Sequence, residues 1–231
     1  MERPFTSNDR YRADTRKQQI VETVLKLVAS HGTEAMSAQL VADAIGVTQP
    51  AVFRHFPTKE AIWLAVMDWL DQQLAAIHSA SDDSDEPALT TLSRMFLDHV
   101  RLIERYPALA KLVLSDHLRV QYPAVQHRFG GVHRAYMARL SAILDRARSE
   151  GAVLRKTASR DAATMFLALI QGLGFQFAIA RLPMKLQPEA ERILAVYLQG
   201  IAAAGDATAF AARTIEAAKS RRAHPRGSRA G

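Results

Sequence analysis

Residues 37–59, SAQLVADAIGVTQPAVFRHFPTK, leave the chain little choice of local structure. Ser37 is a good helix N-cap, and Leu40, Val41 and Ala44 follow as an apolar stripe at helical spacing. Gly46 stands where a helix needs a left-handed C-terminal residue. Thr48 then caps a second helix, and Pro50 falls in its first turn, where a missing N–H costs little. Val47, Val52 and Phe56 can pack inward, which leaves Thr48, Gln49, Ala51, Arg54 and His55 facing out. Two short helices joined by a glycine turn form a helix-turn-helix, whose second helix lies in a DNA major groove.

The remaining sequence predicts helices almost throughout, so the fold class is all-α. A first helix spans about Asp14 to Ser30, with Ile20, Val24, Leu27 and Val28 inward and Gly32 ending it. After the two short helices a long one runs from Lys59 to about His78, and residues 81–87, SDDSDEP, form a loop. Further helices are expected over Ala88–Arg105, Pro107–Asp116, Pro123–Glu150 with a kink at Gly130-Gly131, Ser159–Arg181, Pro188–Ala204, and Asp206 to about Lys219. That architecture is a three-helix N-terminal head on a larger C-terminal helical domain.

The head is similar to that of TetR-family (AcrR-like) transcriptional regulators. The resemblance rests on Val41-Ala42, Gly46-Val47-Thr48, Phe53-Arg54-His55-Phe56 and Pro57-Thr58-Lys59-Glu60, and covers roughly residues 15 to 65. Phe53 departs from the family's usual tyrosine, so a hydroxyl bond to phosphate is missing there. The resemblance implies a helix-turn-helix DNA-binding domain over 1–58 preceded by a flexible arm. It implies a helical ligand-binding and dimerisation domain over 59–219, leaving 220–231 as a disordered basic tail. The implied function is a ligand-responsive repressor that binds a palindromic double-stranded DNA operator as a homodimer. A small lipophilic or aromatic effector would release it. Two alternatives stay open: a small-molecule-binding or enzymatic helical protein with a vestigial reading unit, and an effector-free DNA-binding protein.

Side-chain chemistry divides the DNA contacts. Gln49 and Arg54 suit base edges, since glutamine pairs bidentately with adenine and arginine with guanine. Thr48, Phe53, His55 and Lys59 suit phosphate and sugar, fixing register without reading sequence. Arg10, Arg12, Arg16 and Lys17 are placed to follow the backbone, to enter the minor groove, or to form a plain disordered arm.

Residues 165–182, MFLALIQGLGFQFAIARL, are apolar around most of a helix and call for cover. Gly172 and Gly174 permit close approach of another helix. Ile193, Val196, Tyr197 and Gly200 offer a second face, so a four-helix dimer bundle is expected. Effector candidates are the aromatic residues Phe96, Phe129, Tyr136, Phe166 and Phe175, the polar His99, His117, His133 and Gln171, and the apolar Ile103 and Met137.

The formal charge of +7 is weak support for nucleic acid, because it is concentrated at one end. Residues 1–60 carry 8 Lys/Arg against 7 Asp/Glu, residues 61–212 carry 16 against 15, and residues 213–231 carry 6 against 1. The absence of cysteine excludes disulfides and thiolate metal sites and fits a reducing cytoplasm. No signal peptide and no membrane span are expected. The eight histidines include no HxxxH or HExxH pair, and no P-loop or GxSxG occurs. Neither a metal, a cofactor nor a catalytic residue is therefore assigned.

Overall fold

The computed structural model describes residues 7–79, 86–203 and 207–223. Among these the chain is helical, with one isolated antiparallel bridge between Val153 and Ala202. Two compact units result: Met1–Gln73 with Tyr106–Val132, and Leu74–Arg105 with His133–Gly231. The first unit thus takes in more chain than residues 1–58.

In the first unit α1 (Ser7–His31) starts seven residues before the expected Asp14. Its Ile20, Val24 and Val28 are fully buried, and Gly32, at φ 84°, ends it. Then come α2 (Ala38–Ile45), α3 (Gln49–His55) and α4 (Lys59–Ser79), of which residues to Gln73 belong here. Met36, Val41, Val52, Ile62 and Trp63 complete the core, each at most 1% exposed. The single helix expected over 107–116 is instead two, α6 (Ala108–Val113) and α7 (Asp116–Gln121). The break is made by Ser115, whose hydroxyl caps α7 by accepting from the Leu118 N–H at 3.2 Å. Ser115 also shares a 2.8 Å hydroxyl bond with Thr33, and Lys111 Nζ donates to the Ala29 carbonyl at 2.5 Å, which ties α6 to α1. The helix α8 (Pro123–Ser149) runs unbroken through Gly130-Gly131. Just before those glycines, Arg128 donates to Asp68 at 2.7 Å and Asp71 at 2.9 Å, clamping α8 to α4. Such packing offsets the roughly 1 kcal/mol that each helical glycine costs relative to alanine.

The second unit is organised around α5 (Ala88–Arg105), which packs against α9 (Ser159–Gly174), α10 (Leu186–Ile201) and α11 (Ala207–Ala223). Every α5 residue from Ala88 to Val100 is buried, polar ones included. Burial of that kind requires partners for the polar groups. Arg94 donates to Glu86 at 2.6 Å, Thr91 donates to the same carboxylate at 2.9 Å, and Arg146 donates to the Thr91 hydroxyl at 3.0 Å. Glu150, just beyond α8, accepts from the Ala88 N–H at 3.0 Å and so caps the start of α5.

The helix expected to reach Arg181 ends at Gly174 and continues as a π turn over Phe175–Ile179. Ser159–Ile179, 21 residues long, contains a window of mean hydropathy 1.6 that is long and apolar enough by composition alone to cross a membrane. In the fold it buries its inner side, including Ala162, Phe166 and Ile170, while packing on α5 and α10. The backbone of α11 extends to Ala223, into the stretch expected as tail. Residues 224–231 and most of the expected 81–87 loop lie outside the described residues.

Candidate nucleic-acid interface

The reading unit is set by its caps. The Ser37 side chain accepts from the Leu40 N–H at 3.1 Å, opening α2. At the other end Gly46 adopts φ 67°, and the Val47 N–H reaches back to the Ala42 carbonyl at 3.0 Å. A residue with a Cβ is strained at that backbone conformation, which is why glycine stands there. Val41 and Ala42 face the core, whereas Leu40 is half-buried and Ala44 is exposed. Thr48 has the backbone of an N-cap but makes no side-chain capping bond; its backbone carbonyl accepts from the Ala51 N–H at 2.9 Å.

Within α3 only Val52 is buried, and Phe56 closes the helix from beneath. Thr48, Phe53 and Arg54 are exposed, with Phe53 at 36%, and Gln49, Ala51 and His55 are half-buried. Lys59 lies in the first turn of α4, where partial burial holds its ammonium below its usual pKa. One contact was not anticipated from the sequence: Thr58 Oγ1 accepts from the Ala61 N–H at 3.0 Å and caps α4. Its signal was present, a threonine directly before a helical run.

Packing of α1 against α3 brings together charges far apart in the chain. Arg16 of α1 and Arg54 and His55 of α3 line one hollow of about 190 Å³, floored by Ile20, Ile45, Val47, Ala51 and Val52. His55 has its pKa lowered, first by burial and then by the charges of Arg16, Lys17 and Arg54. Arg10 and Arg12 lie on α1, but their side chains are outside the described residues.

The effector candidates divide between the units. Phe96, His99, Ile103, Tyr136 and Phe166 are buried in the second. His99 Nδ1 and the Tyr136 hydroxyl are 2.9 Å apart, the donor following the imidazole tautomer, and the two rings meet edge to face. Burial lowers the His99 pKa to about 4 and raises that of Tyr136 well above its usual value. Phe166 stands edge-on to Phe96 and to Tyr197. Met137 is half-buried, and His133, Gln171 and Phe175 are exposed. His117 and Phe129 belong to the first unit, where His117 stacks edge-on against Tyr122.

Of the residues expected at a dimer face, Val196 is 68% exposed, Gly200 is exposed, and Ile193 and Gly172 are half-buried. A Cβ built on Gly172 or Gly200 meets open space. Gly174 is buried, and Tyr197 turns inward to donate to the Ala162 carbonyl at 2.9 Å. Met165, 55% exposed, and Phe175, 46% exposed, share the helical face of Gly172.

Residues 20–66 match the family described as bacterial regulatory proteins, tetR family. Over 103 residues the chain is 24% identical to the nucleoid occlusion factor SlmA of Actinobacillus pleuropneumoniae serotype 5b (strain L20), a match covering 44% of this chain. It spans about half of that relative, 50% of its length. Among solved structures, the chain superposes on the ketosteroid transcriptional regulator KstR2 of Mycobacterium tuberculosis with TM-score 0.67 and 19% identity, covering 82% of this chain and 96% of that one. A protein from Saccharomonospora viridis, described as a transcriptional regulator in complex with choline, gives TM-score 0.72 and 17% identity, covering 83% and 100%. These likenesses extend the shared fold beyond the reading head.

Proposed function

We propose that this chain, whose residues 20–66 match the tetR family of bacterial regulatory proteins, is a homodimeric repressor that binds a palindromic operator and is released by a small lipophilic or aromatic effector. The observation that carries the proposal is α3. It buries Val52 alone and turns Thr48, Phe53 and Arg54 outward, beside a cationic hollow. One helix of seven residues covers few base pairs. A two-fold dimer would read two half-sites about one helical turn apart, roughly 34–36 Å.

The dimer face is the stripe of Met165, Gly172 and Phe175 with Ile193, Val196 and Gly200. Exposed apolar surface of this kind, with room over two glycines, supports helix-on-helix closure by a second copy. Val196→Glu would place a carboxylate in that seam. It is expected to weaken self-association by more than about tenfold, read by sedimentation. An unchanged association constant would move the interface elsewhere.

Effector release is a population shift. The ligand must bind the two forms of the dimer with different affinity, since equal affinity shifts nothing. The buried His99–Tyr136 pair, set among Phe96 and Phe166, is the polar point around which an apolar ligand would be oriented.

Arg54→Ala is expected to cost roughly 1–3 kcal/mol on the cognate site and relax preference at one base pair, whereas Lys59→Ala weakens all sequences alike. Equal losses on cognate and random DNA for both variants would remove that division of labour. The proposal as a whole is tested by sequencing genomic fragments captured by the purified protein at moderate salt, where phosphate-only binding is suppressed. One or a few enriched palindromes at promoters support a repressor. The nucleoid occlusion relatives favour a second reading, DNA binding that acts away from promoters, and many sites scattered along the chromosome would support that instead.

A further inference from the structure

The hollow between α1 and α3 gathers more positive charge than it can satisfy internally. Arg16 bonds Gln19 at 2.7 Å, and none of Arg16, Lys17, Arg54 and His55 forms an ion pair among the described residues. The third element packed there, α2, faces it with Ile45 and the following Val47, while its Asp43 is engaged by Gln39 at 2.6 Å. Two guanidinium groups and an imidazole thus share a partly enclosed space with an apolar floor, and the charge of Lys17 also acts on the ring. Their mutual repulsion is relieved only by an anion, and the volume of about 190 Å³ leaves room for one.

We propose that this hollow is a phosphate-binding pocket in which the His55 imidazole takes up one proton from solvent as the phosphate enters. The inference rests on the DNA-binding reading of α3 and adds a proton to it. In the free protein, burial and then the charges of Arg16, Lys17 and Arg54 disfavour the protonated ring. A phosphate oxygen against the ring supplies the missing counter-charge and partly cancels the arginines. The protonated ring then donates to that oxygen, and its pKa rises. Proton uptake therefore occurs between the lowered free value and the raised bound value. Affinity tightens as pH falls through that window, by up to about tenfold per pH unit, and is flat in this residue above it.

The chemistry fits a backbone phosphate of duplex DNA or free inorganic phosphate, and two probes separate them. Full-length protein is titrated with a mixed-sequence DNA duplex by calorimetry, in two buffers of different ionisation heat, for wild type, His55→Asn and Arg16→Gln. Wild type should take up a fraction approaching one proton per bound protomer more than His55→Asn does, with Arg16→Gln binding more weakly. Equal uptake by wild type and His55→Asn overturns the proposal. In parallel, the ring signal of His55 in the unsubstituted protein is titrated with pH, with and without each probe. A raised midpoint with both probes supports a pocket for phosphate as such, and one with duplex alone supports a pocket for the DNA backbone. An unmoved midpoint with both overturns the proposal even if His55→Asn fails to fold. Should the duplex not bind at all, the regulator reading falls while inorganic phosphate still decides the pocket.

Discussion

Replacing Phe166 by alanine is expected to destabilise the second unit by about 3–5 kcal/mol. Phe166 is fully buried in α9. Its ring lies 5.2 Å from Phe96 at 82° and 6.0 Å from Tyr197 at 70°, so two edge-to-face contacts vanish with it. The cavity left behind is bounded by helices that hold one another in place, since α9 and α10 both pack on α5 and on each other. Collapse around it is therefore limited, and the upper part of the range is favoured. Urea unfolding followed by circular dichroism reads the change. A loss under about 1 kcal/mol would mean that the site relaxes and that Phe166 is not a keystone of α5 packing.

The second large effect is a loss of stability in acid. Burial holds His99 at about 4 in the folded chain, against 6.5 for an ordinary histidine. As pH falls below 6.5 the unfolded chain binds a proton that the folded chain refuses. The stability contributed by the neutral ring is thus fully present above 6.5, declines between 6.5 and about 4, and has gone below that. The difference amounts to about 3 kcal/mol. His99→Gln keeps a hydrogen-bonding partner for Tyr136 but cannot titrate. Its urea midpoint should fall less than that of wild type across the same pH range, and parallel curves would show that another group carries the acid sensitivity.

Both effects depend on packing that the sequence announces only in part. The helix-turn-helix was legible because its determinants are local: Ser37 caps, Gly46 turns left-handed, and Val52 and Phe56 point in. Thr48 was legible as a cap position but not in its unused hydroxyl. The break at Leu114-Ser115 was available in the Ser115-Asp116 pair, a capping signal obscured by the apolar run around it. Periodicity placed α5 as a helix. Its polar residues Thr91, Ser93, Arg94 and Asp98 are buried as well, and Glu86 and Arg146, from outside the helix, bond to two of them, which no local pattern announces. Gly130-Gly131 read as a kink, and the Arg128 clamp to α4 is a tertiary fact that no local pattern carries. The meeting of Arg16 with Arg54 and His55 is of the same type. It follows from the docking of α1 on α3, between residues that are remote in the chain.

The economy with which α3 is attached has an evolutionary consequence. A helix that contributes one buried side chain, and whose cap hydroxyl is idle, leaves the chain's stability almost indifferent to what its outer positions are. Gln49 and Arg54 can be exchanged without repacking α1 or α2, so under the proposed function DNA preference can drift while the scaffold stays under its own constraint. Descendants of one such gene can acquire new target sites by a few outward substitutions, each accessible without passing through an unfolded ancestor.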